Sequence, residues 1–252
     1  MKKLIIGNWK MNMLSNEIET YAIQFETLLR INPINCDYGF AIPSLYLSMA
    51  IEKFNKLGSR AIIAAQNCNA KKYGAYTGEV SYSQLLDIGV KYSIIGHSER
   101  RVHFNETNSD INLKIVSLLK NKMIPILCVG ENKTQREDEK HFEVVTTQIQ
   151  EAFEGIESAF VENIIIAYEP VWAIGTGKFA TETDAENMCK HIREILVKLF
   201  TEEVANKIYI LYGGSVDERN AILYMSQPNI NGALVGGASL DAKKFIELLK
   251  AV

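Results

Sequence analysis

The sequence predicts an α/β protein built as a single domain, residues 1–252, of the (β/α)8 barrel class. Three observations predict it. Short β-branched apolar runs recur along the chain, and each is followed by apolar residues at helical spacing. The runs are nearly continuously apolar rather than alternating, as in parallel strands covered on both faces. No Pro/Ser-rich linker or low-complexity segment divides the 252 residues. Strands alternating with helices also fit a doubly wound open sheet. Eight runs in a chain of this length favour the barrel.

In order, the runs are residues 4–7, 38–42, 61–65, 92–95, 124–129, 164–168, 208–212 and 233–235. Between the first two, Ile18, Tyr21, Ala22, Phe25, Leu28 and Leu29 form a helical stripe, with Ser15 placed as its N-cap. Phe142, Val145, Ile149 and Phe153 form another, and Phe245, Ile246, Leu248 and Leu249 line the last helix.

A formal net charge of −3 argues against a nucleic-acid partner, which calls for a basic face, but leaves room for a local cationic pocket. Cys36, Cys68, Cys128 and Cys189 are widely spaced, with no C-x-x-C pair, and read as reduced, buried thiols in a cytoplasmic protein. Lys2-Lys3 before Leu4-Ile5-Ile6 imitates the start of a signal peptide, but Asn8, Trp9 and Lys10 end the apolar run too early. No apolar stretch has the length of a membrane span, so no membrane partner is expected.

In a barrel, chemistry belongs where strands end and the following loops begin. Those junctions hold Asn8 and Lys10 after run one, His97 and Glu99 after run four, and Glu169 after run six. Ser215 follows run seven, and Gly236-Gly237 follow run eight. Lys10 is a compact cation suited to a phosphate or a developing oxyanion, although a lone Lys there also reads as a side chain reaching into water. His97 is either a satisfied core residue or an acid/base group. His103, His141 and His191 are given no chemistry.

The stretch 167–178 is the most informative. A carboxylate, Glu169, ends a strand, Pro170 fixes the next φ, and Val171-Trp172-Ala173-Ile174 lead into Gly175-Thr176-Gly177-Lys178. That is the composition of a lid, with an apolar body to exclude water and glycines able to approach an anion. The alternative is a surface loop with an exposed Trp. Gly213-Gly214 and Gly236-Gly237 follow the last two strands, where barrels commonly bind phosphate.

Residues 8–12, 75–79, 96–101, 167–178, 212–215 and 236–240 resemble, in order and spacing, the signature blocks of the triosephosphate isomerase family. The resemblance covers essentially the whole chain. It implies a TIM barrel that interconverts dihydroxyacetone phosphate and D-glyceraldehyde 3-phosphate, in glycolysis and gluconeogenesis, with no metal or other cofactor. Carried over by position, Glu169 is the base, His97 polarises the carbonyl, Lys10 supplies charge and Asn8 donates a hydrogen bond. Gly175, Ser215, Gly236 and Gly237 hold the phosphate. The resemblance further implies a homodimer, with Thr77 and Glu79 on a loop inserted into a neighbouring subunit and Arg100 as a salt-bridge partner across that interface. Phe179 stands where the family usually has a smaller residue. Two other readings share parts of this pattern: another sugar-phosphate enzyme on a phosphate-binding barrel, and a barrel kept only as a scaffold.

Overall fold

Eight parallel strands close on themselves: β1 (Leu4–Asn8), β2 (Asp37–Ile42), β3 (Ile62–Ala65), β4 (Tyr92–Ile95), β5 (Ile124–Val129), β6 (Ile165–Tyr168), β7 (Tyr209–Tyr212) and β8 (Gly232–Val235). The computed structural model describes residues 1–173 and 180–252. Each strand pairs with the next in the chain, and β8 returns to β1 with Leu4 beside Gly232 and Gly7 beside Val235. The sheet is therefore a closed barrel, and the open-sheet alternative is excluded.

The strand pleat explains the unbroken apolar runs. Leu4 and Ile6 of β1, Ile126 and Cys128 of β5, and Ile165 and Ala167 of β6 fill one buried cluster inside the barrel. The alternate residues Ile5, Leu127 and Ile166 belong to a second, larger cluster packed under the surrounding helices. Successive side chains point to opposite faces of a strand. With both faces covered, most positions are apolar, and the periodicity of a half-exposed strand disappears.

The expected N-cap at Ser15 is corrected. Helix Ser15–Ile31 has Leu14 at its N-cap, with Ser15 as the first helical residue. The Leu14 amide donates to the Glu17 carboxylate at 2.7 Å, the half of a capping box that satisfies the N-cap amide, and Leu14 has no side-chain oxygen to supply the other half. The stripe of helix His141–Ala152 is also narrower than expected. Val145, Ile149 and the following Phe153 are buried, but Phe142 is 40% exposed, its ring packed on His191. Phe245, Ile246, Leu248 and Leu249 of helix Ala242–Lys250 are buried as anticipated.

An aromatic cluster ties the first and last helices to β2. Phe40 lies within 5.1–5.5 Å, ring centre to ring centre, of Trp9, Tyr21, Phe25, Phe54 and Phe245. Phe40→Ala removes the ring that the five others share and should cost about 3–5 kcal/mol. A shift of the urea midpoint with an unchanged slope checks it. A loss below about 1 kcal/mol would mean that the cluster repacks.

All four cysteines are buried and unpaired. Burial pushes the Cys36 thiol up to about 11 and Cys68 up to about 12, and raises Cys128 and Cys189 further. At pH 8 a thiol titrating near 11 is thiolate in about one molecule per thousand, so native alkylation should be slow, with full reaction only on unfolding. These groups are harder to ionise folded than unfolded. Their stabilising contribution is complete below the ordinary thiol pKa and is lost as pH rises toward the folded values. Unfolding midpoints measured upward from pH 8 should fall, and rapid alkylation of the native protein would contradict the assignment.

Candidate active site

The C-terminal ends of β1, β4, β6, β7 and β8 surround a cavity of about 380 Å³. Its lining includes Asn8, Lys10, His97, Glu169, Ser215, Gly236 and Gly237. Seven of the eight residues expected to carry chemistry or hold phosphate thus meet in one place. The eighth, Gly175, lies with Phe179 in residues 174–179, outside the described residues.

Glu169 follows β6 directly and is 2% exposed. Its amide donates to the Val129 carbonyl at 2.7 Å, which extends the barrel ladder by one residue. Its Oε1 lies 2.8 Å from His97 Nε2, and its Oε2 accepts the Ser98 amide at 2.9 Å. Gly213 makes the space for this side chain, because a Cβ there would come within 3.0 Å of Glu169 Cγ.

His97 caps helix Ser98–His103, and its Nδ1 accepts the Glu99 amide at 3.3 Å. A ring nitrogen that accepts from a fixed backbone amide carries no proton, so the neutral imidazole holds its hydrogen on Nε2, facing Glu169. Burial pulls the His97 pKa down, but the charge and hydrogen bond of Glu169, with the Glu99 charge, outweigh it and leave the group above its ordinary value. Burial likewise raises the Glu169 carboxyl, and His97, the Ser98 amide and Lys10 reverse that, leaving it below the usual carboxylate range. Both directions express one short buried contact.

Lys10 sits at φ +52, in the left-handed region that bulky residues avoid. Its amide donates to Asn8 Oδ1 at 3.0 Å, and its carbonyl accepts Gln66 Nε2 at 2.8 Å. The side chain runs to Glu99, Nζ to Oε1 2.7 Å. Asn8 thus uses its oxygen locally, which turns its amide nitrogen into the free end of the side chain as a donor. The same cavity is lined by Gly213-Gly214-Ser215, which follow β7, and by Gly236, after which helix Gly237–Leu240 begins. First-turn amides of a helix have no partner within it, which suits this wall to an anion.

A model of the triosephosphate isomerase family matches residues 3–252. The chain belongs to the triosephosphate isomerase family. Similar proteins that carry the name triosephosphate isomerase include one from Malacoplasma penetrans, 44% identical over 250 residues, covering 99% of this chain and 98% of that one. Another, from Mycoplasma capricolum, is 48% identical over 248 residues, with 98% of each chain covered. One from Streptococcus agalactiae is 43% identical over 251 residues, covering 100% of this chain and 98% of that one.

Thr77, Glu79 and Arg100, assigned to subunit contact by the triosephosphate isomerase resemblance, lie apart from the main cavity. Thr77 and Glu79 are exposed, and Glu79 accepts a hydrogen bond from Asn69 at 3.0 Å. Arg100 pairs within the chain, its Nε 2.6 Å from Glu106 Oε2, and lies over the Phe104 ring. Glu79 and Arg100 line a neighbouring groove of about 480 Å³ that shares Asn8, Lys10 and His97 with the main cavity.

Sequence reasoning missed Glu131. This triosephosphate isomerase family member buries it completely just after β5. Its Oε1 accepts from Trp172 Nε1 at 2.7 Å and from Tyr168 OH at 3.1 Å, and its carbonyl accepts the Val171 amide at 3.1 Å. Trp172 is therefore held at its polar edge, and the alternative of a purposeless exposed Trp is set aside. Burial raises the Glu131 carboxyl above its ordinary value, against the pull of these donors and Arg136. The signal was available, since Glu131 stands at a strand-end junction like the residues that were noticed. Ser98 and Gln66 were missed for another reason: the site uses the backbone amide of one and a long reach of the other.

Proposed function

We propose that the chain interconverts dihydroxyacetone phosphate and D-glyceraldehyde 3-phosphate through an enediolate, as its family membership supports. The observation that carries the mechanism is the Glu169–His97 contact at 2.8 Å, in one cavity with Lys10 and the glycine-rich ends of β7 and β8.

The contact is too short to admit a substrate between its atoms. A carbon in near-attack position sits about 3–3.5 Å from its base. Glu169 therefore turns out of this contact to reach the C–H beside the carbonyl. Its departure removes the largest influence raising His97, and the Glu99 amide at Nδ1 then holds the imidazole neutral, with Nε2–H directed at the substrate oxygens. Glu169 takes the proton and returns it to the adjacent carbon. His97 supplies a proton to the carbonyl oxygen and recovers one from the neighbouring hydroxyl. The net change is a shift of two hydrogens, with nothing lost to solvent. Lys10 offsets the negative charge of the enediolate and the phosphate, and such preorganised partners are commonly the largest catalytic contribution. Ser215, Gly236 and Gly237, with Gly175, hold the phosphate through backbone amides, and Asn8 donates from its amide nitrogen.

The functional unit in this reading is a cytoplasmic homodimer. No helix among the described residues is long and apolar enough to cross a membrane, and four unpaired cysteines suit a reducing compartment. Met11 and Phe104 line the second groove and are 96% and 65% exposed, apolar surface that association would cover. The loop bearing Thr77 and Glu79 fits such a groove, with Arg100 on its wall. Light scattering should give twice the chain mass, and a variant shortened within residues 70–78 should be a soluble monomer of very low activity. Full specific activity from a verified monomer would refute the shared site.

A coupled assay with glyceraldehyde 3-phosphate tests the function. Rapid formation of dihydroxyacetone phosphate without added metal or nucleotide is expected. Activity on a different sugar phosphate alone, or none on any, would overturn the assignment in favour of another barrel enzyme or a scaffold.

A further inference from the structure

Arg101 does not line the cavity, yet its guanidinium is engaged on all sides within the protein. Nε donates to the Gly96 carbonyl at 2.9 Å, Nη2 to the Cys128 carbonyl at 3.2 Å, and Nη1 to Asn108 Oδ1. The two carbonyls stand at the ends of adjacent strands, β4 and β5. Gly96 directly precedes His97. Cys128 directly precedes Val129, whose carbonyl takes the Glu169 amide at 2.7 Å. One planar cation thus spans the two strands that fix the imidazole and the carboxylate.

Two features make this bracket rigid. Gly96 turns at φ +71, and a Cβ there would lie 2.7 Å from Ile111 Cδ1 and 3.2 Å from Arg101 Nη2, so the turn is packed against the guanidinium itself. The partners are neutral oxygens held in a fixed fork, a geometry that an ammonium on a flexible stem does not reproduce.

We propose that Arg101 is a positioning residue for the isomerisation, acting through the Gly96 and Cys128 carbonyls to set the separation and orientation of His97 and Glu169. The proposal rests on the isomerase function assigned to this site. Because Arg101 touches neither the substrate cavity nor its phosphate wall, its loss should act on the chemical step and leave binding nearly intact. A displacement of catalytic groups by about 1 Å costs on the order of 10²-fold in rate.

The test compares wild type, Arg101→Lys, Arg101→Met and Arg101→Ala by steady-state kinetics, and measures binding of glycerol 3-phosphate, a non-reacting phosphate ester. For Arg101→Met, kcat should fall on the order of 10²-fold while KM and glycerol 3-phosphate affinity change little. Arg101→Lys keeps the charge and reaches one carbonyl at most, so it should fold like wild type and retain an intermediate kcat. Methylguanidinium should restore part of the kcat of Arg101→Ala, which general loosening of the fold would not permit. A wild-type kcat in Arg101→Lys and Arg101→Met would overturn the proposal. So would a loss of glycerol 3-phosphate binding that matches the loss of kcat. An inactive wild-type protein would instead sink the isomerase assignment itself, so the two failures are distinguishable.

Discussion

Glu169→Gln is expected to lower kcat by between about 10²- and 10⁴-fold, the range that a positioned general base contributes. The substitution keeps the size and the hydrogen-bonding oxygen, so the Ser98 amide at 2.9 Å retains an acceptor and the Val129 ladder bond is untouched. What disappears is the carboxylate that the proposed mechanism uses to take a proton from carbon. His97 also loses the charge that raises its pKa, and should return toward the lower value that burial favours. An NMR titration of the His97 ring should therefore move to lower pH in the variant. Glu169→Asp keeps the charge but withdraws it by one methylene, and should cost about 10²-fold. Binding of a phosphate-bearing ligand should survive in both. Near wild-type turnover in Glu169→Gln would remove Glu169 from the mechanism.

Lys10→Met should raise KM and lower kcat together, for a combined loss above roughly 3 kcal/mol, comparable to deleting one oxyanion donor from a dry site. The reason is placement. Lys10 lies on the cavity wall between the carboxylate–imidazole pair and the glycines after β8, where a Cβ on Gly236 would be 3.7 Å from Lys10 Cε. In the proposed mechanism its charge serves the phosphate in the ground state and the enediolate in the transition state, so both kinetic constants should suffer. The left-handed backbone at φ +52 is as unfavourable for Met as for Lys, so folding stability should change little through that route. An unchanged KM with full turnover would place Lys10 outside the site.

The barrel was legible in the sequence because burial on both faces writes itself as unbroken apolar runs. Every expected strand appears, with ends shifted by at most one residue. The junction rule led to residues that line one cavity for the same reason: a polar residue directly after an apolar run, as at Asn8 or Glu169, has little to do in the core. Local rules were less secure. Ser15 looks like a cap by residue type, but it is the first helical residue, after an N-cap Leu14 whose amide donates to the Glu17 carboxylate. Phe142 fits a helical stripe by spacing, yet the neighbouring helix brings His191 rather than the core to meet it.

Residue types and their order by themselves determined the fold class, the strand ends to within one residue, and which side chains stand at the strand ends. Tertiary structure alone decided their relations. His97 and Glu169 are 72 residues apart in the chain, and their contact exists only because β4, β5 and β6 are neighbours in a closed sheet. The same closure gives Glu131 its meaning, through donors on Tyr168 and Trp172, and gives Arg101 two carbonyls that no spacing rule connects. Apolar periodicity is a local consequence of burial and can be read one segment at a time. Hydrogen bonds between segments, and the pKa values they set, depend on distances of a few tenths of an ångström that are fixed only when the barrel closes.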